Sequence, residues 1–144
     1  MTNKIKIGLV IFMVGFLQAC TINPEPIQVG KDLCKYCKMT ISDSKFGAEA
    51  ITKKGKIFKY DEAHCYLSEI ADKELDVNEV KSIYVSNFCG QHELLLAEKA
   101  YYLYSENLKS PMGGNVAVFS NKDSLQKYVN ILGGKELTWD ELKK

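Results

Sequence analysis

Two cysteines and a methionine lie close together in the segment Cys34-Lys-Tyr-Cys37-Lys-Met39. Haem attachment requires a His directly after the second Cys, and Lys38 stands there instead. The spacing leaves four chemistries open: a disulfide, structural zinc, a redox dithiol and a soft-metal site. Structural zinc usually takes two close Cys/His pairs, whereas this chain has one such pair and its other Cys and His residues are scattered. A thioredoxin-like dithiol opens a helix, whereas the residues after Cys37 are typical of a strand.

Monovalent copper suits these residue types best. Cu(I) is soft and prefers thiolate and thioether donors in a low coordination number. In an extended backbone Cys37, Met39 and Ile41 project from one face at steps of roughly 6.6 Å, so both sulfurs reach one ion. Packing in the core is the commoner role of a methionine at an apolar strand position. Met112, in a Pro-Met-Gly-Gly turn, is compatible with either exposure or ligation.

The first twenty residues predict the compartment in which these sulfurs work. Lys4 and Lys6 precede an apolar run, residues 7–17, which as a helix spans roughly 16 Å, about half a bilayer core. This run predicts a signal peptide over residues 1–19. The segment Leu17-Gln-Ala-Cys20 resembles the lipobox of bacterial lipoproteins, which implies cleavage before Cys20 and a diacylglycerol group on its sulfur. Residues 20–30 then form a lipidated, flexible tether, and the protein is membrane-anchored outside the cytoplasm.

Charge and cysteine usage restrict the classes of partner. Loss of residues 1–19 removes two lysines and lowers the formal charge from +1 to −1. The chain contains no arginine, so we expect no nucleic-acid partner. Outside the cytoplasm the four remaining cysteines make disulfides a real alternative. A domain of this size does not need such staples, however, and a Cys34–Cys37 bridge closes too short a loop to stabilise much.

The elements that position these residues follow from hydrophobic periodicity. Strands are predicted over residues 39–41, 47–52, 56–60, 82–88, 100–104 and 116–119. One helix is predicted to begin at Asp61 and to carry His64 and Cys65. These two residues are either ordinary core or surface residues without a functional role, or auxiliary metal ligands. A second helix is predicted to begin at Ser120 and to end at Gly133-Gly134. A short third helix is predicted near residues 91–98.

A weak internal repeat relates the two longer helices. Shifting the chain by 59 positions aligns Tyr60 with Phe119 and Asp61 with Ser120. Each copy has a glycine turn, a short apolar strand, a polar residue and an amphipathic helix, a pattern that chance also produces in a strand–helix protein. A true repeat predicts an α+β fold in which two related β-β-α-β units form one compact mature domain, with units at residues 31–90 and 91–144.

These motifs together resemble the NosL family, lipoprotein accessory factors of nitrous-oxide reductase. The resemblance covers nearly the whole chain after Cys20. It is carried by Cys34-Lys-Tyr-Cys37-Lys-Met39-Thr-Ile41, Gly55-Lys-Ile-Phe-Lys-Tyr60-Asp61, Ser110-Pro-Met112-Gly-Gly114 and Leu137-Thr-Trp139-Asp-Glu-Leu142. The resemblance implies two related β-β-α-β units and a non-enzymatic Cu(I) chaperone. It supplies copper for the copper–sulfide centre of the reductase, directly or indirectly, together with a membrane-embedded ABC-type maturation complex.

The resemblance also implies a set of ligands. Cys37 and Met39 match the family's Cys-x-Met element, Met112 matches its Pro-Met-Gly element, and Cys34 matches the first Cys of the pair. The region with Cys89 and His92 matches no pattern of this kind. The alternative function is an extracytoplasmic thiol–disulfide or copper-reducing oxidoreductase that uses Cys34 and Cys37.

Overall fold

Two small antiparallel sheets and their helices organise the chain. The computed structural model describes residues 22–144, so the predicted signal peptide and Cys20 lie outside the described residues. The elements in chain order are β1 (Ala48–Thr52), β2 (Ile57–Tyr60), α1 (Ala63–Ala71), β3 (Val80–Ser86), β4 (Leu94–Leu96), β5 (Tyr101–Tyr104), β6 (Val116–Phe119), α2 (Lys122–Leu132), β7 (Lys135–Leu137) and α3 (Trp139–Leu142). None of the helices within residues 22–144 has the length and apolar composition needed to cross a bilayer.

The strand order confirms the predicted pair of related units. The first sheet has the order β2-β1-β3-β4 and the second the order β6-β5-β7, with every neighbour antiparallel. If β1 is matched with β5, β2 with β6 and β3 with β7, the two orders are the same. The boundary drawn after residue 90 stays a prediction; β4, which follows it, pairs with β3 of the first sheet.

Both long helices begin one or two residues later than predicted. Asn121 caps α2, because its side chain accepts the backbone N–H of Ser124. Asp61 does not cap α1; it is buried, and its carboxylate accepts the backbone N–H of Ser42 at 2.9 Å. The end of α2 at Gly133, with φ of +64°, agrees with the prediction.

The predicted helix near residues 91–98 is wrong. Leu94–Leu96 forms β4, in which Leu94 pairs with Ser86 and Leu96 with Tyr84. Pairing satisfies backbone groups along β3 that a short helix would leave without partners. Only the following three residues, Ala97–Lys99, form a 3₁₀ turn.

One aromatic group joins the two units. Trp139 in α3 stacks on Tyr66 of α1 and on Tyr102 of β5, with ring centroids 6.3 and 5.8 Å apart. These three rings belong to the larger of two core clusters, which also contains Cys34 and Cys65. Cys34 and Cys65 are therefore embedded in the hydrophobic core.

The described part of the predicted tether is packed against the first sheet, so a flexible tether over this part is wrong. The backbone N–H of Glu25 donates to both carboxylate oxygens of Glu49, at 3.0 and 3.2 Å. Glu49 is fully buried in β1 and requires hydrogen-bond donors there. Ile27 packs against the larger core cluster.

Candidate metal centre

Residues 33–40 form a tight loop, called here the cysteine loop. A single β-bridge between Leu33 and Thr40 closes it, and the N–H of Cys34 donates to the carbonyl of Met39 at 2.8 Å. Lys38 has φ of +64°, in the left-handed region, so the chain reverses direction there. The strand predicted over residues 39–41 is therefore wrong, and the extended step between Cys37 and Met39 does not form.

The loop and the first turn of α1 bring three thiols together. The sulfur atoms of Cys34, Cys37 and Cys65 all lie within 4.8 Å of one another. Cys34 and Cys65 are buried, whereas Cys37 is half-buried and is the member nearest to solvent. Sequence analysis predicted the first two as ligands and placed Cys65 only among auxiliary ones. Cys65 lies on the buried face of α1, next to Tyr66, and this position is the sequence signal that could have identified it as a main ligand candidate.

Hydrogen bonds within the cluster separate the acidities of the three thiols. The Cys65 thiol donates to Cys34 and, against the opposing effect of burial, lowers the pKa of Cys34 to about 5; the backbone N–H groups of Asp61 and Cys37 contribute. The same hydrogen bond, followed by burial, raises the pKa of Cys65. Burial raises the pKa of Cys37. At neutral pH these shifts give one thiolate beside two protonated thiols.

An ion pair fixes the cysteine loop to α1. Lys35 of the loop pairs with Glu69, which is fully buried on α1, and the hydroxyl of Tyr60 donates to the same carboxylate at 2.6 Å. The backbone N–H of Lys35 also donates to the carbonyl of Lys59 in β2 at 2.8 Å. The positions of the loop sulfurs relative to Cys65 therefore depend on this buried network.

The two predicted methionine ligands lie in different settings. Met39 belongs to the cysteine loop, and its side chain is half-exposed. Met112 is partly buried and packs against the core cluster that contains Cys34 and Cys65. The ligand roles of both methionines stay predictions, as do those of Cys34 and Cys37.

Glu62 ties the Met112 turn to the helix that carries Cys65. Its carboxylate accepts the backbone N–H groups of Met112 at 3.4 Å and of Gly114 at 2.8 Å. Glu62 immediately precedes α1, and its own carbonyl accepts the N–H of Cys65 at 3.1 Å. One buried residue thus contacts the Met112 turn through its side chain and the Cys65 segment through its backbone.

The other candidate residues lie apart from the thiol cluster. Cys89 packs against the second core cluster, beside Phe88 and Tyr128. The Nδ1 atom of His92 lies 2.9 Å from the carbonyl oxygen of Asn87. His64 is exposed on α1. All four cysteines of the described part of the chain are free thiols.

The family model for NosL matches residues 26–144. The chain belongs to the NosL family. Its fold is similar to the crystal structure of the copper chaperone NosL from Shewanella denitrificans, with a TM-score of 0.70, 23% identity, and coverage of 83% of this chain and 95% of that one. At that identity the likeness shows a shared fold. A search of curated proteins found no match.

The donor set of this NosL protein suits a soft, low-coordinate ion. Three thiolates complete a trigonal site for Cu(I), which binds two or three sulfur donors. A structural zinc ion takes four ligands. Within residues 22–144, the cluster contains three cysteines and no fourth Cys, His, Asp or Glu donor. The three-thiol donor set therefore suits a soft, thiophilic ion such as copper better than four-coordinate structural zinc.

Proposed function

We propose that this NosL protein is a lipid-anchored metallochaperone that binds Cu(I) outside the cytoplasm and delivers it for assembly of the copper–sulfide centre of nitrous-oxide reductase. The observation that carries the proposal is the cluster of three thiols within 4.8 Å at the junction of the cysteine loop and α1. Family membership supports it, and the similar solved structure is that of a protein described as a copper chaperone.

Cu(I) binds to Cys34, Cys37 and Cys65 in this proposal, with Met112 as a weaker additional donor in the bound state and Met39 as a thioether donor during entry and release. Cys34 and Cys65 are buried, so a partner reaches the ion from the side of Cys37 and the half-exposed Met39. A soft ligand of the partner displaces one donor at a time through a mixed-ligand intermediate. On release Cys37 and Cys65, whose pKa values are raised, regain protons from solvent, and copper keeps its oxidation state. The process is transfer rather than catalysis.

Partners and location follow from the same proposal. Cys20 carries the lipid that holds the protein at a membrane outside the cytoplasm. The recipient is a membrane-embedded ABC-type maturation complex, through which copper reaches nitrous-oxide reductase directly or indirectly.

One observation favours the alternative function, a thiol–disulfide or copper-reducing oxidoreductase. The pKa of Cys34 is lowered to about 5, and a reactive dithiol requires such a thiolate. However, Cys34 is fully buried, whereas attack on a substrate disulfide requires an accessible thiolate. The more accessible Cys37 has a raised pKa instead. The thiol with the lowered pKa is therefore the buried one and the accessible thiol has the raised pKa, which is unsuited to disulfide exchange.

Titration against a chromophoric Cu(I) competitor tests the proposal. We expect one Cu(I) per chain, loss of tight binding in Cys37→Ser and Cys65→Ser, and weaker binding in Met112→Leu. Cys89→Ser is the matched control, since Cys89 is a free thiol outside the cluster. Unchanged affinity in Cys37→Ser would refute the assignment. Metal-independent oxidation of a substrate dithiol by wild-type protein, with Cys34 and Cys37 first oxidised to a disulfide, would support the oxidoreductase.

A further inference from the structure

The first described residues run along the β1–β2 hairpin in the direction opposite to β1. Ile22 lies over Gly55 in the turn between the strands; a Cβ added to Gly55 would lie 2.3 Å from Ile22 Cδ1. The backbone N–H of Glu25 donates to Glu49, the second residue of β1, and Ile27 lies over Gly47, just before that strand. The chain therefore enters the described part of the protein at the β1–β2 turn.

This course places the proposed lipid attachment point near the same turn. Cys20 and Ile22 are separated by two peptide units, which span at most about 7 Å. Lys59 strengthens the attachment of the segment to the hairpin, because its ammonium group contacts the carbonyl of Pro26 at 3.2 Å and the carboxylate of Glu25 at 3.6 Å. A lipid on Cys20 would consequently hold the β1–β2 turn close to the membrane.

The turn carries exposed positive charge. Lys53, Lys54 and Lys56 are all exposed, and none of the three forms an ion pair with an acidic side chain of residues 22–144. The hollow beside the turn also contains the carboxylates of Glu74 and Glu79. The three lysines, together with the exposed apolar side chain of Ile22, suit a surface of anionic headgroups over acyl chains.

The thiol cluster lies at the other end of this hairpin. The backbone N–H of Lys35, next to Cys34, donates to the carbonyl of Lys59 near the end of β2, whereas the lysine turn directly precedes β2. A strand of four residues separates the two ends by roughly 13 Å. A membrane bound at the lysine turn would leave the thiol cluster at the end of the hairpin that is farther from the lipid.

We infer that the β1–β2 turn, with Lys53, Lys54 and Lys56, is a membrane-docking surface for anionic phospholipid headgroups, and that docking there orients the thiol cluster away from the bilayer. The inference rests on the lipid attachment to Cys20 in the proposed function. The lipid supplies attachment to the membrane, and the lysines supply orientation. The same surface charge without the lipid would bind only weakly, because exposed charges are screened beyond about 8 Å at physiological ionic strength.

Lysine footprinting of the full lipoprotein tests the orientation. The protein is reconstituted into vesicles of phosphatidylethanolamine and phosphatidylglycerol, into phosphatidylcholine vesicles, and into detergent micelles, then acylated with an amine reagent and analysed by peptide mass spectrometry. We expect acylation of the three turn lysines to fall about fivefold in the anionic vesicles relative to micelles. It should recover near ~1 M salt, where the Debye length is roughly 3 Å. Exposed Lys122 and Lys127 on α2 are internal controls whose acylation should not change.

Three results would overturn the inference: equal acylation of the turn and control lysines, equal protection in phosphatidylcholine, or failure of the protein to float with vesicles. Cu(I) titration of the same preparation reports separately on the proposed function. Protected turn lysines without Cu(I) binding would refute the chaperone and support the docking surface. Normal Cu(I) binding with unprotected turn lysines would support the chaperone and refute the docking surface.

Discussion

Replacing Lys35 by Met should leave the buried Glu69 carboxylate without its cationic partner. Removing one partner of a fully buried ion pair costs about 3–5 kcal/mol. The Lys35 side chain is 26% exposed, and the hydroxyl of Tyr60 still donates to Glu69 at 2.6 Å, so we expect a smaller loss, about 2 kcal/mol. At this chain length that loss lowers Tm by roughly 6–10 °C.

Thermal unfolding followed by circular dichroism, under reducing and metal-free conditions, measures the effect. Lys31→Met is the matched control, because Lys31 is exposed and forms no ion pair among the described residues. Adding Glu69→Gln to Lys35→Met should restore part of the lost stability, since the double variant no longer buries an unpaired charge. Equal Tm values for Lys35→Met and Lys31→Met, or a double variant less stable than Lys35→Met, would refute this reasoning.

Three further predictions follow from the site and the fold. Above the pKa of Cys34, about 5, the affinity for Cu(I) should rise about a hundredfold per pH unit. Binding then displaces roughly two protons, one from each of the other two thiols, whose pKa values are raised. A Cu(I) affinity that does not change between pH 6 and 8 would contradict the three-thiol site. Glu62→Ala should lower the free energy of unfolding in urea by about 1–3 kcal/mol, because two backbone N–H groups lose their acceptor. In the Glu62→Ala background, Met112→Leu should no longer weaken Cu(I) binding. If Met112→Leu still weakens it to the same extent, Glu62 does not position Met112. Gly134→Ala should cost more stability than Gly133→Ala. Both residues have positive φ, but only the Cβ at residue 134 would clash with a backbone oxygen, that of Tyr104; equal unfolding midpoints would refute the steric argument.

Local sequence patterns predicted the helices and strands correctly where an apolar run is bounded by a glycine or another turn residue. The residues of β2 and β6, and the end of α2 at Gly133, follow from apolar runs bounded by turn residues. The pattern failed at Leu94–Leu96, where three consecutive leucines have no alternation and the edge of β3 decides their conformation. It also failed for the segment before residue 30, which is ordered by the buried Glu49, a contact 24 positions away in sequence.

The site was only partly accessible to sequence reasoning. Residue type and the resemblance to NosL indicated Cys34 and Cys37, which the structure brings together with Cys65. The proximity of Cys65 depends on the packing of α1 against the cysteine loop through Lys35 and Glu69, and no local pattern encodes that contact. The predicted extended step to Met39 failed because Lys38 adopts positive φ, which a sequence without glycine at that position does not signal.

The two units differ at the positions that build the thiol cluster. The helices α1 and α2 begin at equivalent positions, and Ser124 of α2 stands where α1 has Cys65. The residues before the two helices differ in the same way. Asn121 caps its own helix, whereas the Glu62 side chain makes no cap hydrogen bond and instead binds the Met112 turn of the second unit. Because capping residues typically contribute about 1 kcal/mol, the first unit forgoes local helix stability for a contact between units. That contact places the thioether-bearing Met112 turn beside the thiol-bearing helix, which is the arrangement that the proposed Cu(I) transfer uses.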